Sequence, residues 1–325
     1  MNLLGIEIGG SKLQLVIGDE AGKISHRAKI EVDRAKGGAG IRDLISATIA
    51  EWRKEISWNA VGCGYGGPVD FQTGKICCSH HIAGWNDFPL GDWLREICGT
   101  PVAQTARPRG QTGGLPHEMP VRVDNDANTA ALGEATFGAG GNFNPVFYTN
   151  SGSGVGGGLV VDGKIYHGAI PGEAELGHMR LDKSGTTVED RCSGWAVDRK
   201  IRALKKSDPE SLLAKLIGSA TGCEAKYLPV ALRLGDPMAQ RIVNETADDL
   251  AFAISHAVHL FHPEAVVLGG GLSLIGEPWR AAVANALPNY LMKAFAPGPQ
   301  VKLSALGEDA VPVGALALAS AAAKG

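Results

Sequence analysis

Apolar positions alternate with small or polar ones on both sides of a glycine pair near the start of the chain. The stretch LLGIEIGGSKLQLVIGDEAGKI, from Leu3, shows this alternation around Gly9-Gly10. A period of two residues is typical of β-strands, and the glycine pair predicts a hairpin turn. A second stretch, VFYTNSGSGVGGGLVVDGKIY from Val146, has the same plan. The two hairpins predict an internal duplication, one copy in each domain; unrelated hairpins with similar turns are the alternative.

Helical periodicity follows between the hairpins and again in the second half. Apolar residues recur at helical spacing from Ile41 to Ile56 and from Ile242 to Phe261, and the second run marks the longest predicted helix. The stretches AVGCGYGGPVD and EAVVLGGGLS predict strands that end in glycine turns, and PVGALALASAAAKG predicts a terminal helix. Strands that alternate with helices predict an α/β fold.

Length and charge narrow the class of protein. With 325 residues the chain exceeds the size at which one core usually keeps growing, so we expect two domains. The net charge of −3 gives no electrostatic footprint for a nucleic acid. No apolar run is long enough for a membrane span, and the N-terminus lacks the regions of a signal peptide. The six cysteines form no C-x-x-C pair. These features predict a cytoplasmic protein with neither a nucleic-acid nor a membrane partner.

One stretch breaks the pattern of strands and helices. QTARPRGQTGGLPHEMP, residues 104–120, is rich in Gly, Pro, Arg and Thr and has no periodicity. It predicts a mobile surface loop inserted before the strand VRVDND. A regulatory or lid role for this loop is left open.

Three glycine-rich turns follow predicted strands and could present bare backbone N–H groups to phosphate oxygens. The second turn also fits G-x-G-x-x-G, but a strand follows it where a dinucleotide-binding fold needs a helix. No P-loop is present, because every Gly-Lys pair is followed by Ile. Any single turn fits a tight bend and nothing more; together they favour phosphate binding between hairpins. The turns are Gly9-Gly10-Ser11-Lys12, Gly152-Ser153-Gly154-Val155-Gly156 and Gly269-Gly270-Gly271.

Polar side chains crowd one predicted junction of a strand and a helix. The stretch VRVDNDANTAALGE, residues 121–134, places Asp124, Asn125, Asp126 and Asn128 there. Such a corner could bind a metal, cap the helix, or hold a base against a substrate hydroxyl. Taken alone, these residues leave all three roles open.

In this order, the stretches resemble the ROK family of sugar kinases, a branch of the actin-like and hexokinase-like superfamily. The resemblance implies two actin-like (ribonuclease H-like) α/β domains with mixed sheets and an interdomain cleft. Residues 1–119 with a C-terminal helix at about 312–325 would form the smaller lobe, and residues 120–311 the larger one. The similarity runs nearly end to end, through GIEIGGSKLQL, GYGGPVDFQTGKI…AGW, VDNDANTAALGE, GSGVGGGLVVDGKIYHGAIPGEAELGH, VVLGGGLS and VPVGALALA.

The resemblance also implies the activity. We expect a glucokinase-like homodimer that uses ATP and Mg²⁺ to phosphorylate a hydroxyl of a hexose or an N-acetylhexosamine. Asp126 would be the catalytic base, while Asp124 and Asn128 would serve the turn and the helix start. The expected sugar ligands are Gly67, Asn125, Asp126, Glu175, His178 and Glu189. The expected ATP-binding residues are Gly9, Gly10, Ser11, Lys12, Gly152, Ser153, Gly154, Gly270 and Gly271.

The chain departs from the family pattern in three places. Glu7 stands where the family usually has Asp, so Mg²⁺ contact, often through water, is the expectation there. Family members often carry C-x-C-G-x-x-G-C after the Gly-His pair; here the chain reads MRLDKSGTTVEDRC. His178 and Cys192 cannot supply the four ligands of structural zinc, so we expect none. His81 replaces an Asn, which bears on substrate choice.

Several alternatives stay open at this point. The identity of the sugar and the choice between ATP and polyphosphate as donor are undecided. A non-catalytic sugar-binding or ATPase relative remains an alternative function. A sugar-sensing repressor is disfavoured, because no helix-turn-helix precedes the first hairpin.

Overall fold

The structure of this chain is a computed structural model that describes residues 1–10, 12–79, 82–99, 118–172 and 174–325. Its contacts divide the chain into two units. Unit 1 comprises Met1–Gly133, His167–Glu173 and Val311–Gly325; unit 2 comprises Glu134–Tyr166 and Ala174–Ala310. This division differs from the predicted lobes. Residues 120–133 belong to unit 1, because the strand that begins at Val121 pairs within the first sheet. Residues 167–173 belong to unit 1 as well. Residues 104–117 of the predicted loop lie outside the described residues.

Unit 1 is built on a five-stranded mixed sheet in the order β3-β2-β1-β4-β7. The first three strands in the chain pair antiparallel, whereas β4 and β7 extend the sheet in parallel. Two short strands, β5 and β6, pair separately. The bounds are β1 Leu3–Ile8, β2 Lys12–Gly18, β3 Ile24–Glu31, β4 Val61–Tyr65, β5 Val69–Asp70, β6 Lys75–Ile76 and β7 Val121–Asn125.

Unit 2 repeats this topology with the order β10-β9-β8-β11-β12. Its first three strands are again antiparallel and the last two parallel. Each unit closes its first hairpin across a glycine turn: Ile8 pairs with Leu13 in unit 1, and Ser151 pairs with Val155 in unit 2. The structure therefore confirms one sheet of the same topology in each unit, as the predicted duplication requires. The bounds are β8 Val146–Ser151, β9 Val155–Val161, β10 Lys164–Ile165, β11 Ala265–Gly269 and β12 Gln300–Leu303.

Helices pack on both sheets, as the apolar periodicity predicts. In α1 the buried face carries Ile41, Ile45 and Ile49, and the helix ends before Ile56. The predicted longest helix is α8, whose start is capped by Asp236. The bounds are α1 Gly37–Trp52, α2 Leu90–Cys98, α3 Asp126–Phe137, α4 Val188–Cys192, α5 Gly194–Ser207, α6 Leu212–Ile217, α7 Leu228–Arg233, α8 Pro237–Phe261, α9 Glu277–Ala286 and α10 Ala310–Lys324.

Each unit has its own hydrophobic core. In unit 1 the strands β1 and β2 bury both faces, and Leu316 and Ala319 of α10 cover Leu3 and Val16. The alternation of the first hairpin in the sequence therefore does not mark a solvent-exposed face of these strands. In unit 2 the core centres on α8. Among the described helices, none combines the length and the apolar composition that a membrane crossing requires.

Candidate active site

The junction of β7 and α3 in unit 1 is capped by Asn125. Its Oδ1 accepts from Ala127 N at 2.8 Å and from Asn128 N at 3.2 Å, which satisfies two N–H groups of the first helical turn. Asp124 serves the turn, as predicted, because its Oδ1 accepts from Asn125 N at 2.9 Å. The side chain that caps the helix start is nevertheless that of Asn125 and not that of Asp124 or Asn128. Their side chains bond to each other instead: Asn128 Nδ2 donates to Asp124 Oδ1 at 3.0 Å. The reading in which all four polar residues are caps is excluded too, because Asn128 Oδ1 accepts no hydrogen bond within the part of the chain that the structure describes.

Asn125 also reaches the predicted sugar residue Gly67. Its Nδ2 donates to Gly67 O at 3.2 Å, so the structure brings these two candidate ligands together. The side chain of Asn125 is thus fixed at both ends, with the oxygen on the helix and the nitrogen on the turn after β4. A side chain held in this way loses little further freedom when it binds a ligand.

Asp126 lies half-buried at the same corner, close to the first glycine turn. A Cβ placed on Gly66 would lie 3.3 Å from Asp126 Oδ2, 3.4 Å from Ile8 O and 3.7 Å from Gly9 Cα. The Asp126 carboxylate and the start of the first glycine turn therefore both lie close to the backbone at Gly66. Glycine at position 66 leaves that space open. A carboxylate beside a glycine turn can accept a proton from a hydroxyl brought up to the turn.

Tyr65 also lies at the corner between β7 and α3, and no pattern in the sequence singled it out. Burial raises the pKa of Tyr65 to about 12, the Ser79 hydroxyl works in the opposite direction, and the charge of Asp126 adds to the rise. Tyr65 therefore stays a neutral phenol at physiological pH. Its ring packs edge-on against Trp85, with centroids 5.6 Å apart.

The first glycine turn is closed by Gly9 N, which donates to Lys12 O at 2.9 Å. Lys12 Nζ lies 3.3 Å from Glu7 Oε1, and Gln14 Nε2 donates to Glu7 Oε2 at 2.6 Å. Glu7 is thus a buried carboxylate that already contacts an ammonium and an amide. Ser11, predicted to line the phosphates, lies outside the described residues.

The positively charged side chain of Arg34, which the sequence did not single out, lies beside this turn. Arg34 Nε donates to Gly10 O at 2.7 Å. The two residues are separated by a hairpin, and Arg34 lies in a polar stretch without periodicity, so no local signal pointed to it. Arg34 adds positive charge next to the predicted phosphate turn.

The second glycine turn, in unit 2, is held by its neighbours. Gly152 N donates to Gly154 O at 2.9 Å, and Gly194 N donates to Gly152 O at 2.7 Å. A Cβ on Gly152 would meet no atom within 4 Å, so this position faces open space. Gly270 packs against Ser151, since a Cβ there would lie 2.6 Å from Ser151 N. The predicted Gly152 and Gly270 turns are therefore neighbours within unit 2.

One predicted sugar ligand of unit 2, Glu189, contacts Val155, the residue after this turn, and two others, Glu175 and His178, lie on a segment that packs on Val155 through Gly177. Glu189 Oε2 accepts from Val155 N at 3.0 Å, and a Cβ on Gly177 would lie 2.2 Å from Val155 O. Glu175 and His178 flank Gly177, and Glu175 Oε2 lies 3.9 Å from His178 Nε2. The side chain of His178 is 73% exposed, so it is not a buried structural histidine.

The segment that carries a cysteine cluster in many family members is folded here by hydrogen bonds. Asp182 Oδ1 accepts from the backbone N–H groups of Ser184, Gly185 and Thr186 at 2.8, 3.0 and 3.3 Å. Arg180 and Thr187 then form an antiparallel bridge. Cys192 is buried, where its Sγ donates to Thr246 O. Within the described residues, no group of three or more His, Cys, Asp and Glu side chains is arranged to hold a metal ion; the absence of zinc stays a prediction.

Acid should weaken this segment. Hydrogen bonds from Ser184 and then from Thr186 hold the pKa of Asp182 well below its usual range. The ionised form therefore stabilises the fold fully above the unfolded-state pKa of about 3.9, and this stabilisation is lost progressively as the pH falls from there through the folded-state pKa. Asp182→Asn should lower Tm at pH 7 and lower it by less at pH 2.5, as measured by differential scanning fluorimetry. Asp43→Asn, at an exposed position of α1, is the control; equal shifts for both variants would contradict the role of Asp182.

Two sheets of one topology, each with a glycine turn between its first two strands, fit the actin-like class of folds. The comparisons with known proteins agree. The model of the ROK family matches residues 3–106 and 116–322. A glucokinase of Thermotoga maritima is 30% identical over 326 residues, which cover 98% of this chain and 97% of that protein.

A solved structure is similar over the same length. The ROK family glucokinase from Streptomyces griseus, in complex with glucose and AMPPNP, is 31% identical; the match covers 99% of this chain and 100% of that one, with a TM-score of 0.83. The chain therefore belongs to the ROK family and has its actin-like two-domain α/β fold. It is a glucokinase-like sugar kinase, as the sequence predicted.

Proposed function

We propose that this kinase transfers the γ-phosphoryl group of ATP to a hydroxyl of glucose, with Asp126 as the general base. The position of the Asp126 carboxylate beside Gly9 and Ile8 carries the proposal. Glucose is chosen over other hexoses and N-acetylhexosamines because the similar Streptomyces griseus enzyme is solved with glucose and AMPPNP. ATP is chosen over polyphosphate for the same reason.

The chemistry needs positioning and a proton acceptor more than it needs covalent help. As the hydroxyl oxygen bonds to the γ-phosphorus, the bond to the bridging oxygen of ATP breaks and ADP leaves. The hydroxyl proton passes to Asp126. Lys12 and the N–H groups of the glycine turns would stabilise the negative charge on the phosphate oxygens. Asn125, Gly67, Glu175, His178 and Glu189 would bind the sugar hydroxyls.

The proposed role of Mg²⁺ is limited to an ion held near Glu7 through its water shell. Glu7 is the residue that would hold it, yet both oxygens of Glu7 already contact Gln14 and Lys12. Such a carboxylate fits an ion that keeps its water shell, as Mg²⁺ usually does, better than it fits direct coordination. When bound, the ion would supply charge neutralisation at the donor phosphates.

On the donor side, Gly152, Ser153 and Gly154 would line the phosphates and Gly270 and Gly271 the adenosine. The open space at Gly152 supports this assignment. Gly9 and Gly10 would line the phosphates from unit 1. The same assignment for Ser11 rests on the sequence alone.

Gly152→Ala tests the donor assignment. Because its added methyl group meets no atom of the protein, Tm should stay unchanged, while the group occupies space proposed for the phosphates. We expect the KM for ATP to rise about tenfold or more, an effect of ~1.4 kcal/mol, with the Kd for glucose unchanged. Gly141→Ala, whose Cβ would make ordinary contacts from 3.5 Å, is the control. An unchanged KM for ATP in Gly152→Ala would remove the phosphates from this turn.

A coupled ADP-release assay with a panel of sugars tests the function as a whole. We expect release that depends on glucose and exceeds that with fructose, mannose and N-acetylated amino sugars. ADP release without any sugar would instead indicate an ATPase. No release with any sugar would indicate a binding protein.

We further propose a cytoplasmic homodimer. Cys63, Cys98, Cys192 and Cys223 are free thiols, which suits a reducing compartment. The dimer rests on the family resemblance, and light scattering coupled to size-exclusion chromatography tests it: a monomer mass at working concentration would contradict it.

A further inference from the structure

The segment from His167 to Gly172 forms a loop whose two ends touch. A Cβ on Gly172 would lie 2.6 Å from both Cβ and O of His167. The segment belongs to unit 1 by its contacts, although the stretches Glu134–Tyr166 and Ala174–Ala310 belong to unit 2. We name residues 167–172 the anchor loop.

Both ends of the anchor loop are bound to the corner that carries Asp126. His167 Nε2 lies 2.6 Å from Asp124 Oδ2, and Asn128 Nδ2 donates to Gly172 O at 3.1 Å. A carboxylate oxygen accepts, so His167 donates to it through Nε2. Asp124 Oδ1 accepts in turn from Asn128 Nδ2 and from Asn125 N at 2.9 Å. One buried carboxylate therefore holds the anchor loop on one side and the start of α3 on the other.

The imidazole of His167 is fixed on its face as well as at its edge. The ring of Phe71 stacks on it, with centroids 3.7 Å apart and an angle of 9° between the planes. The side chain of His167 is 18% exposed and that of Asp124 only 5%. A charge-assisted hydrogen bond in such a place is stronger than one at the surface.

The arrangement also costs stability, which argues against a role in folding alone. Asn128 is fully buried, both hydrogens of its Nδ2 are used, and its Oδ1 has no hydrogen-bond partner in the part of the chain that the structure describes. A buried acceptor without a partner is unfavourable. An apolar residue at position 128 would avoid that cost but could not hold Gly172.

We propose that Asp124 and His167 are positioning residues for the sugar. The anchor loop ends three residues before Glu175, so the bonds of Asp124 and Asn128 fix where the chain enters the sugar-binding segment. Through Asn125 N the same carboxylate orients the residue next to Asp126. The inference rests on the proposed function, because Glu175 and Asn125 are its proposed sugar ligands.

His167→Phe tests it, because phenylalanine keeps a flat ring for Phe71 to stack on but has no N–H to donate. We expect the Kd for glucose, measured by isothermal titration calorimetry, to rise about tenfold, as loss of one charge-assisted hydrogen bond would give. At saturating glucose, kcat should stay within about threefold, and the Kd for AMPPNP within about twofold. His167→Gln, which restores an amide donor, should recover part of the glucose affinity.

His26→Phe, the same exchange at an exposed histidine of β3, is the matched control and should leave all three quantities unchanged. Turnover of sugar by the wild type tests the proposed function. The role of the anchor loop is tested by comparing the Kd of His167→Phe with the Kd of the wild type, both measured for the best substrate of the sugar panel. The same Kd in both proteins overturns the inference. Equal weakening of sugar and AMPPNP binding with a lowered Tm overturns it too, since that is what a purely structural role would give.

Discussion

Asp126→Asn should lower kcat by about 10²–10⁴ while the Kd for glucose changes by less than about threefold. Asparagine has nearly the same shape as aspartate and still offers an oxygen to a hydroxyl, but it cannot take up the hydroxyl proton. Binding therefore persists and the chemical step fails. Steady-state kinetics with saturating ATP and glucose, together with calorimetry of glucose binding, separate the two effects.

The control for this variant is Asp92→Asn. Asp92 is also an acidic residue in the first turn of a helix, α2, so the exchange removes the same charge near a helix N-terminus. It should leave kcat unchanged. A small loss of kcat in Asp126→Asn, matched by an equal loss in Asp92→Asn, would show that Asp126 acts as a helix charge and not as the base.

Gly270→Ala should strongly weaken ATP binding and destabilise unit 2. Gly270 has φ 75°, in the left-handed region that costs other residues about 1–3 kcal/mol. A Cβ there would also lie 2.6–2.7 Å from the backbone N, C and O of Ser151, which cannot yield without moving the Gly152 turn. Because both glycine turns of unit 2 would shift, we expect the KM for ATP to rise by about a hundredfold or more.

Gly276→Ala separates strain from the clash. Gly276 has φ 82°, but a Cβ there would meet nothing within 4 Å. This variant should lose stability through backbone strain alone and keep the wild-type KM for ATP. If both variants lower Tm equally and neither changes the KM for ATP, the Gly270 turn has no part in donor binding.

Much of the fold could be predicted from the sequence because its signals are local. The glycine turn of β1 and β2 and its copy between β8 and β9 each lie within one stretch of alternating residues, so the period of two and the Gly pairs identify them. The duplication then gave the two-sheet architecture. The long apolar period of α8 was equally clear.

The details of the site could be predicted only in part, since they depend on contacts between distant segments. Four polar residues lie close together in the sequence at the β7–α3 corner, and the local pattern does not show which of them caps the helix. The sequence favoured Asp124 and Asn128 at the helix start, whereas the structure uses Asn125. The bond from His167 to Asp124 spans 43 positions in the chain. The sequence around neither residue predicts this hydrogen bond.

The same limit explains Glu7 and Arg34. The exchange of Asp for Glu at position 7 was visible as a departure from the family, but its partner Gln14 lies on the neighbouring strand and pairs with it only through the register of β1 and β2. Arg34 reaches Gly10 from beyond β3. Roles that depend on strand register follow from the sheet and not from composition. The interdomain cleft and the ligand assignments stay predictions.

Phosphorus NMR of a single sample of enzyme, ATP and glucose tests the central claim most directly. For the wild type, the γ-phosphorus signal should be replaced by that of a sugar phosphomonoester, with an equal amount of ADP and no build-up of inorganic phosphate. With Asp126→Asn under the same conditions, the ATP signals should persist over the time in which the wild type consumes them. Inorganic phosphate as the product, or a sugar phosphate formed at the same rate by both proteins, would contradict transfer to the sugar with Asp126 as the base.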